Sequence, residues 1–194
     1  MSRAAAKKEQ VLAFSTQKLW RVWLLKHHAK SKGVQLRVFK KGTGVKSVNY
    51  DQALDEALCF GWIDGQKNKY DERSWLQRFT PRRPRSLWSK RNREHVARLI
   101  KAKQMMPAGL EEVKRAKKDG RWERAYDAPK DMKVPEDFLK ALRQDAQAHQ
   151  FFKTLNKANV YAIAWRLQLA KKPETRERWK AKFLELMRSG TRIH

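Results

Sequence analysis

The sequence predicts an α+β fold: a small N-terminal sheet with flanking helices, followed by an all-helical C-terminal module. Three observations carry this expectation. VQLRVF at 34–39 alternates apolar and polar residues with the period of a strand. Gly, Asn and Asp supply turn chemistry through residues 60–79, where two more short strands are expected. From about residue 110 onward the apolar residues recur only at helical spacing, behind proline or aspartate start signals.

Taken in order, the first helix is expected to begin at Ser15 as N-cap, with Phe14 and Leu19 as a hydrophobic staple. Leu19, Trp23 and Lys26 follow at helical spacing, and Gly33 marks the stop. After the strand with Val34, Leu36 and Val38 on one face, the loop KKGTG turns the chain. Asn49 with Gln52 three residues on is a capping-box pattern for a helix that buries Ala53, Leu54, Ala57 and Leu58. Two strands are expected around Trp62 and Ser74–Phe79, ended by Pro81 and Pro84. Ser89 then reads as the N-cap of a helix carrying Val96, Leu99 and Ile100 and stopping near Pro107 and Gly109.

A short helix is expected over 110–118. Further helices open at Pro135, at Asp145, ahead of Val160, Ile163, Ala164 and Leu167, and at Pro173. Trp179, Phe183, Leu186 and Met187 give the last its apolar face, and Gly190 its end. The polar, proline-bearing stretch KKDGRWERAYDAPKDMKVP reads as a connection. The resulting division is an α+β part over 1–118, a linker over 119–134 and a helical module over 135–194. No internal repeat and no low-complexity tract is visible.

The outlying property is charge: 46 lysines and arginines against 20 aspartates and glutamates, a formal net charge of +26. Residues 1–93 hold 22 cations and 7 anions, and 94–194 hold 24 and 13, so the excess is not a basic tail on a neutral domain. Such a field attracts polyanions, nucleic acid being the commonest in a cell. The hydrophobic content of 41% and eight tryptophans argue against global disorder. A single cysteine, Cys59, excludes an internal disulfide and a cysteine-rich zinc site. MSRAAAKKEQVLAF has no apolar stretch of leader length, and no run reaches the roughly 18 apolar residues of a membrane span, so a cytoplasmic protein is expected.

Three stretches, DEALCFGWIDG (55–65), FTPRRPRSLWSKRN (79–92) and AKKPETRERW (170–179), resemble the YdeI/OmpD-associated, or bacteriocin-protection, family. The resemblance runs from about Phe14 to Gly190. Two positions depart from it: Gln35 stands where relatives usually have tryptophan, and Trp179 where an arginine is common. The resemblance implies a link with envelope stress and protection from bacteriocins and cationic antimicrobial peptides, through association with an outer-membrane porin. It brings no accepted enzymatic activity and no catalytic residues.

Between Arg73 and Arg93 lie seven arginines, one lysine and no acidic residue. Arg82, Arg83 and Arg85 on a proline-stiffened loop, with Trp75 and Trp88 nearby in sequence and Ser89, Lys90 and Arg91 following, form a candidate anion grip. Guanidinium forks meet phosphate bidentately, an indole stacks on a base, and free N–H groups at a helix start favour an anion. The competing account is architectural: the arginines pair with Asp55, Glu56 or Asp64 and the tryptophans are core. Lys171, Lys172 and Arg176, with Arg178, Lys180 and Lys182, make a second basic cluster at the start of the last helix, against a solvated helix face as the alternative.

Cys59, Trp62 and Asp64 are candidates for a functional pocket, with His27, His28 or His95 as base. No nucleophile signature surrounds Cys59, and a buried small hydrophobe is the stronger account. KKGTGVKS fails the Walker spacing, because Val45 separates Gly44 from Lys46. The five histidines show no metal spacing, and no cofactor is expected. Three functions stay open: non-catalytic binding of DNA or RNA backbone without base readout, stress protection through a protein partner, and an enzyme built around Cys59 and Asp64.

Overall fold

The computed structural model describes residues 9–128 and 131–194. Its elements are β1 (Val11–Leu12), α1 (Gln17–His27), β2 (Val34–Phe39), α2 (Tyr50–Cys59), β3 (Trp62–Lys69), β4 (Ser74–Pro81), α3 (Lys90–Lys101), α4 (Pro107–Lys118), α5 (Glu136–Arg143), α6 (Ala146–Lys153), α7 (Lys157–Leu169) and α8 (Pro173–Arg188). The α+β class is as expected: strands confined to the N-terminal half, helices alone beyond. The chain forms two compact units, one reaching Trp88 and resuming over Asn92–Arg124, the other made of Ser89–Arg91 and Ala125–His194. Of the expected linker, residues 119–124 pack in the first unit, and residues 129 and 130 lie outside the described residues. Most of the stretch read for a leader, residues 1–8, also lies outside them.

In the first unit the sheet order is β1-β2-β4-β3. β1 runs parallel to β2, while β4 is antiparallel to both of its neighbours. β2 alternates as its sequence demands, with Val34, Leu36 and Val38 fully buried. Opposite residues of paired strands share a face, so Val38, Trp75 and Lys69 form one cross-strand row and Leu36, Gln77 and Lys67 the next. The register shifts between Asp64 and Lys67 in the edge strand β3, a bulge that bends the strand.

The first helix departs from expectation. Thr16, not Ser15, is the N-cap, and its hydroxyl accepts from Leu19 N at 3.3 Å. The buried residues are Trp20 and Leu24, while Leu19, expected as the staple partner of Phe14, is 49% exposed; the Phe14 ring lies 5.4 Å from that of Trp20. Both cap residues are chemically competent, and the indole decides. Trp20 Nε1 donates to Ala53 O at 3.0 Å and its ring lies 5.8 Å from Phe79. The helix ends at His27, before Gly33, and the two-residue β1 is too short to show a period.

Asn49 and Gln52 form the full capping box of α2, and Ala53, Leu54, Ala57 and Leu58 are buried as read. Helix α3 stops at Lys101, and Pro107 opens α4 at its first turn instead of ending α3. Ile100, expected on the apolar stripe, is 44% exposed. Gly109 lies on α4 against the end of α2, where an added Cβ would sit 2.3 Å from Cys59 O and 2.7 Å from Leu58 O. Only a residue without a side chain permits that approach.

The second unit is a helical cluster. Phe138, Leu142, Ala148, Ile163, Leu167, Phe183 and Met187 make its core, with Trp179, Phe151 and Phe152 packed around it. Asp145 caps α6 by accepting from Ala148 N at 3.0 Å, and Asn156 caps α7 in the same way. The Asn159 side chain is fully buried, and its carbonyl accepts from Ile193 N and His194 N. Among the described residues, no helix is long and apolar enough to cross a membrane.

Gly109→Ala tests the α2–α4 approach. Helix propensity alone would make alanine stabilising by about 1 kcal/mol, but the backbone clash is expected to dominate, with a net loss of about 1–3 kcal/mol in urea unfolding. Gly65→Ala, whose Cβ would have 3.7 Å to its nearest neighbour, is the control for local tolerance.

Candidate functional site

The basic loop that follows β4 is built from the inside out. Pro81 closes the strand, and Arg82 N donates to Gly61 O at 3.0 Å, tying the loop to the end of α2. Arg83, Pro84, Arg85 and Ser86 form a β-turn in which Ser86 N donates to Arg83 O at 2.9 Å and Arg83 N donates to Ser86 Oγ at 2.8 Å. Proline's fixed φ suits the second position of such a turn.

Arg82 does not face solvent: it is 6% exposed, and its guanidinium lies 3.5 Å from the centre of the Trp88 ring. Its Nη1 donates to Leu87 O at 3.1 Å. Trp88, itself 2% exposed, meets Trp122 edge-on at 4.9 Å. Arg93 covers Trp122 at 5.2 Å and donates to its carbonyl, and Lys117 lies 5.6 Å from the same ring. Arg121, also buried, donates to Ser86 O at 2.8 Å and pairs with Asp119. Arg82 and Trp88 therefore hold the loop, and Trp88 offers no face to a base.

The carboxylates expected to take these arginines have other partners. Asp55 meets His95 at 2.7 Å and Arg98 at 2.6 Å. The buried Glu56 accepts from Gln17 and Arg21, each at 2.7 Å. Asp64 accepts from Tyr50 Oη at 2.8 Å. Arg83 and Arg85 are exposed, and neither meets a carboxylate among the described residues. Ser89 is buried and bridges to Tyr126, Lys90 is exposed and reaches Asp127 at 2.5 Å, and Arg91 is exposed.

Cys59 is fully buried, and burial, with the nearby Glu56 charge, pushes its thiol up to about 11. Trp62 is buried with Nε1 donating to His28 O at 3.1 Å. No group of three or more His, Cys, Asp or Glu suited to hold a metal occurs among the described residues.

In the second unit Arg176 is consumed by architecture: it donates to Leu167 O at 2.7 Å and pairs with Asp137, whose carboxyl is held below its ordinary range chiefly by that hydrogen bond. Lys180 joins Asp137 and Glu177, and Lys182 lies 5.4 Å from the Trp179 ring, which Arg166 also approaches at 4.8 Å. Lys171, Lys172 and Arg178 remain at the surface.

A further cleft shares only Trp75 with these candidates. At the hairpin end of the sheet, Lys40, Lys67, Lys69, Asp71, Ser74 and Trp75 line an open space of about 440 Å³. Its signal in the sequence, lysines two apart in β3 facing a tryptophan in β4, is visible only once the register is known.

Arg82→Ala is expected to lower stability by about 1–2 kcal/mol through removal of a desolvated cation–π pair, whereas Arg83→Ala and Arg85→Ala stay within about 0.5 kcal/mol, both read by chemical denaturation. At pH 8 the raised Cys59 pKa leaves about one thiol in a thousand ionised, and burial shields the remainder. Iodoacetamide should label the native protein orders of magnitude more slowly than the urea-unfolded chain.

Residues 12–112, just over half of the chain, match the family described as a domain of unknown function, DUF8412. Residues 131–190 match the family described as bacteriocin-protection, YdeI or OmpD-associated. AKKPETRERW falls in the second match, while DEALCFGWIDG and FTPRRPRSLWSKRN fall in the first, so the match to the YdeI/OmpD-associated family covers the C-terminal module and not the span from Phe14 onward. No curated protein and no solved structure matches the chain. The chain thus belongs to the DUF8412 family, and its residues 131–190 match the family described as bacteriocin-protection, YdeI or OmpD-associated.

Proposed function

We propose that this protein is a non-catalytic binder of polyanions that grips the phosphate backbone of DNA or RNA by charge, without reading bases. The observation that carries the proposal is the turn at Arg83–Ser86. It displays two exposed arginines with no carboxylate partner among the described residues, in a chain of net charge +26. The buried Arg82–Trp88 stack beneath it limits the loop's freedom, so less order must be gained on binding. Guanidinium groups held this way meet phosphate oxygens in pairs.

In this reading the second unit adds cations of its own, through the exposed Lys90, Arg91, Lys171 and Lys172. Arg82, Trp88, Ser89 and Arg176 act by holding the framework. Cytoplasmic nucleic acid is the partner we assign. The family description favours a second reading, protection from bacteriocins through a protein partner.

Binding to duplex DNA, followed from low to moderate salt, separates the two. The double variant Arg83→Ala/Arg85→Ala, with unchanged circular dichroism, should flatten the plot of log affinity against log salt by about 1–2 units, roughly 0.9 for each phosphate no longer neutralised. An unchanged slope removes the turn from the reading. Capture of one specific protein that survives high salt, without nucleic-acid binding in dilute buffer, favours the second.

A further inference from the structure

We propose that the cleft at the hairpin end of the sheet is a binding site for a small anion carried on a flat ring, of the nucleoside monophosphate class. This stands apart from the polyanion reading, because none of its residues belongs to the basic turn. The cleft is formed where β2 ends and the β3–β4 hairpin turns, on the row that begins with the buried Val38 and continues through Trp75 to Lys69. Lys67 lies one row along on the same face, its Nζ 4.6 Å from the centre of the Trp75 ring. Lys40, the residue after β2, is fixed by its backbone N–H donating to Arg73 O at 2.9 Å.

The charge balance favours an anion. Lys40 and Lys67 meet no carboxylate among the described residues, and Lys69 meets only the well-exposed Glu72. The lone acidic lining residue, Asp71, is already engaged: Arg37 reaches it at 2.6 Å, the Ser74 hydroxyl at 2.7 Å and Arg73 N at 2.9 Å. Two ammonium groups, those of Lys40 and Lys67, are thereby gathered at the cleft without a carboxylate among the described residues, beside a third, Lys69, that Glu72 meets.

The ring preference comes from Trp75. Its indole lines the cleft between the lysines, and an aromatic face set among cations suits a ligand with a planar body and a negative group. At about 440 Å³ the space falls in the range of small-molecule sites.

Calorimetric titration of the full chain with AMP, ribose 5-phosphate and inorganic phosphate tests this. AMP should bind saturably and at least about fivefold more tightly than ribose 5-phosphate, the contribution of stacking one base. Lys40→Gln/Lys67→Gln, both at exposed side chains, should weaken AMP binding at least about tenfold with unchanged circular dichroism. Arg83→Ala/Arg85→Ala should leave the AMP titration as it was. Absence of saturable AMP binding, equal affinity for ribose 5-phosphate, or indifference to the lysine variant each overturns the proposal. DNA binding that persists in the lysine variant leaves the polyanion reading intact in any of these outcomes.

Discussion

With 46 lysines and arginines against 20 aspartates and glutamates, most cations in this chain have no carboxylate to meet. That constraint shapes the interior. A buried guanidinium needs partners for its five N–H groups and compensation for lost hydration. Here indole rings and backbone carbonyls supply much of both. Arg82 lies on Trp88, Arg93 on Trp122 and Arg166 on Trp179. Leu87, Trp122, Ser86 and Leu167 offer carbonyl oxygens to Arg82, Arg93, Arg121 and Arg176. The tryptophans therefore serve both as hydrophobic mass and as counterparts for charge.

Four carboxylates join separate elements. Glu56 is 5% exposed and accepts from Arg21 and Gln17, joining α1 to α2. Asp55 holds His95 and Arg98 of α3 against α2. Glu9 binds Arg78 on β4, which holds its carboxyl below the ordinary range, and Asp137 secures the start of α8 through Arg176. Once these joints are made, the arginines of the Arg83–Ser86 turn keep their charge for the solvent side.

Much of the fold was legible because it rests on local signals. VQLRVF, the Asn49–Gln52 box, Asp145 and Pro173 each report on neighbours a few residues away, and each appears where its chemistry requires. Helix α1 differs by one residue at its cap because Trp20 finds Ala53 and Phe79, partners that local spacing does not encode. The basic stretch was recognisable as a site of unusual chemistry. Its division into a holding arginine, Arg82, and displayed ones, Arg83 and Arg85, depends on Trp88 and Trp122 meeting from distant parts of the chain. The cleft was hidden for the same reason, since only the strand register sets Lys69 against Trp75.

The bulge in β3 has a bearing on self-association. β3 is the open edge of the sheet, and its outer half reads Gln66, Lys67, Asn68, Lys69, all exposed. An unpaired strand border is a template on which a second copy can add by hydrogen bonding. A bent ladder and two ammonium groups make that addition geometrically awkward and electrostatically repulsive. At the opposite border β1 offers only two residues. The outer half of β3 is thus guarded against growth of the sheet into a longer β-array.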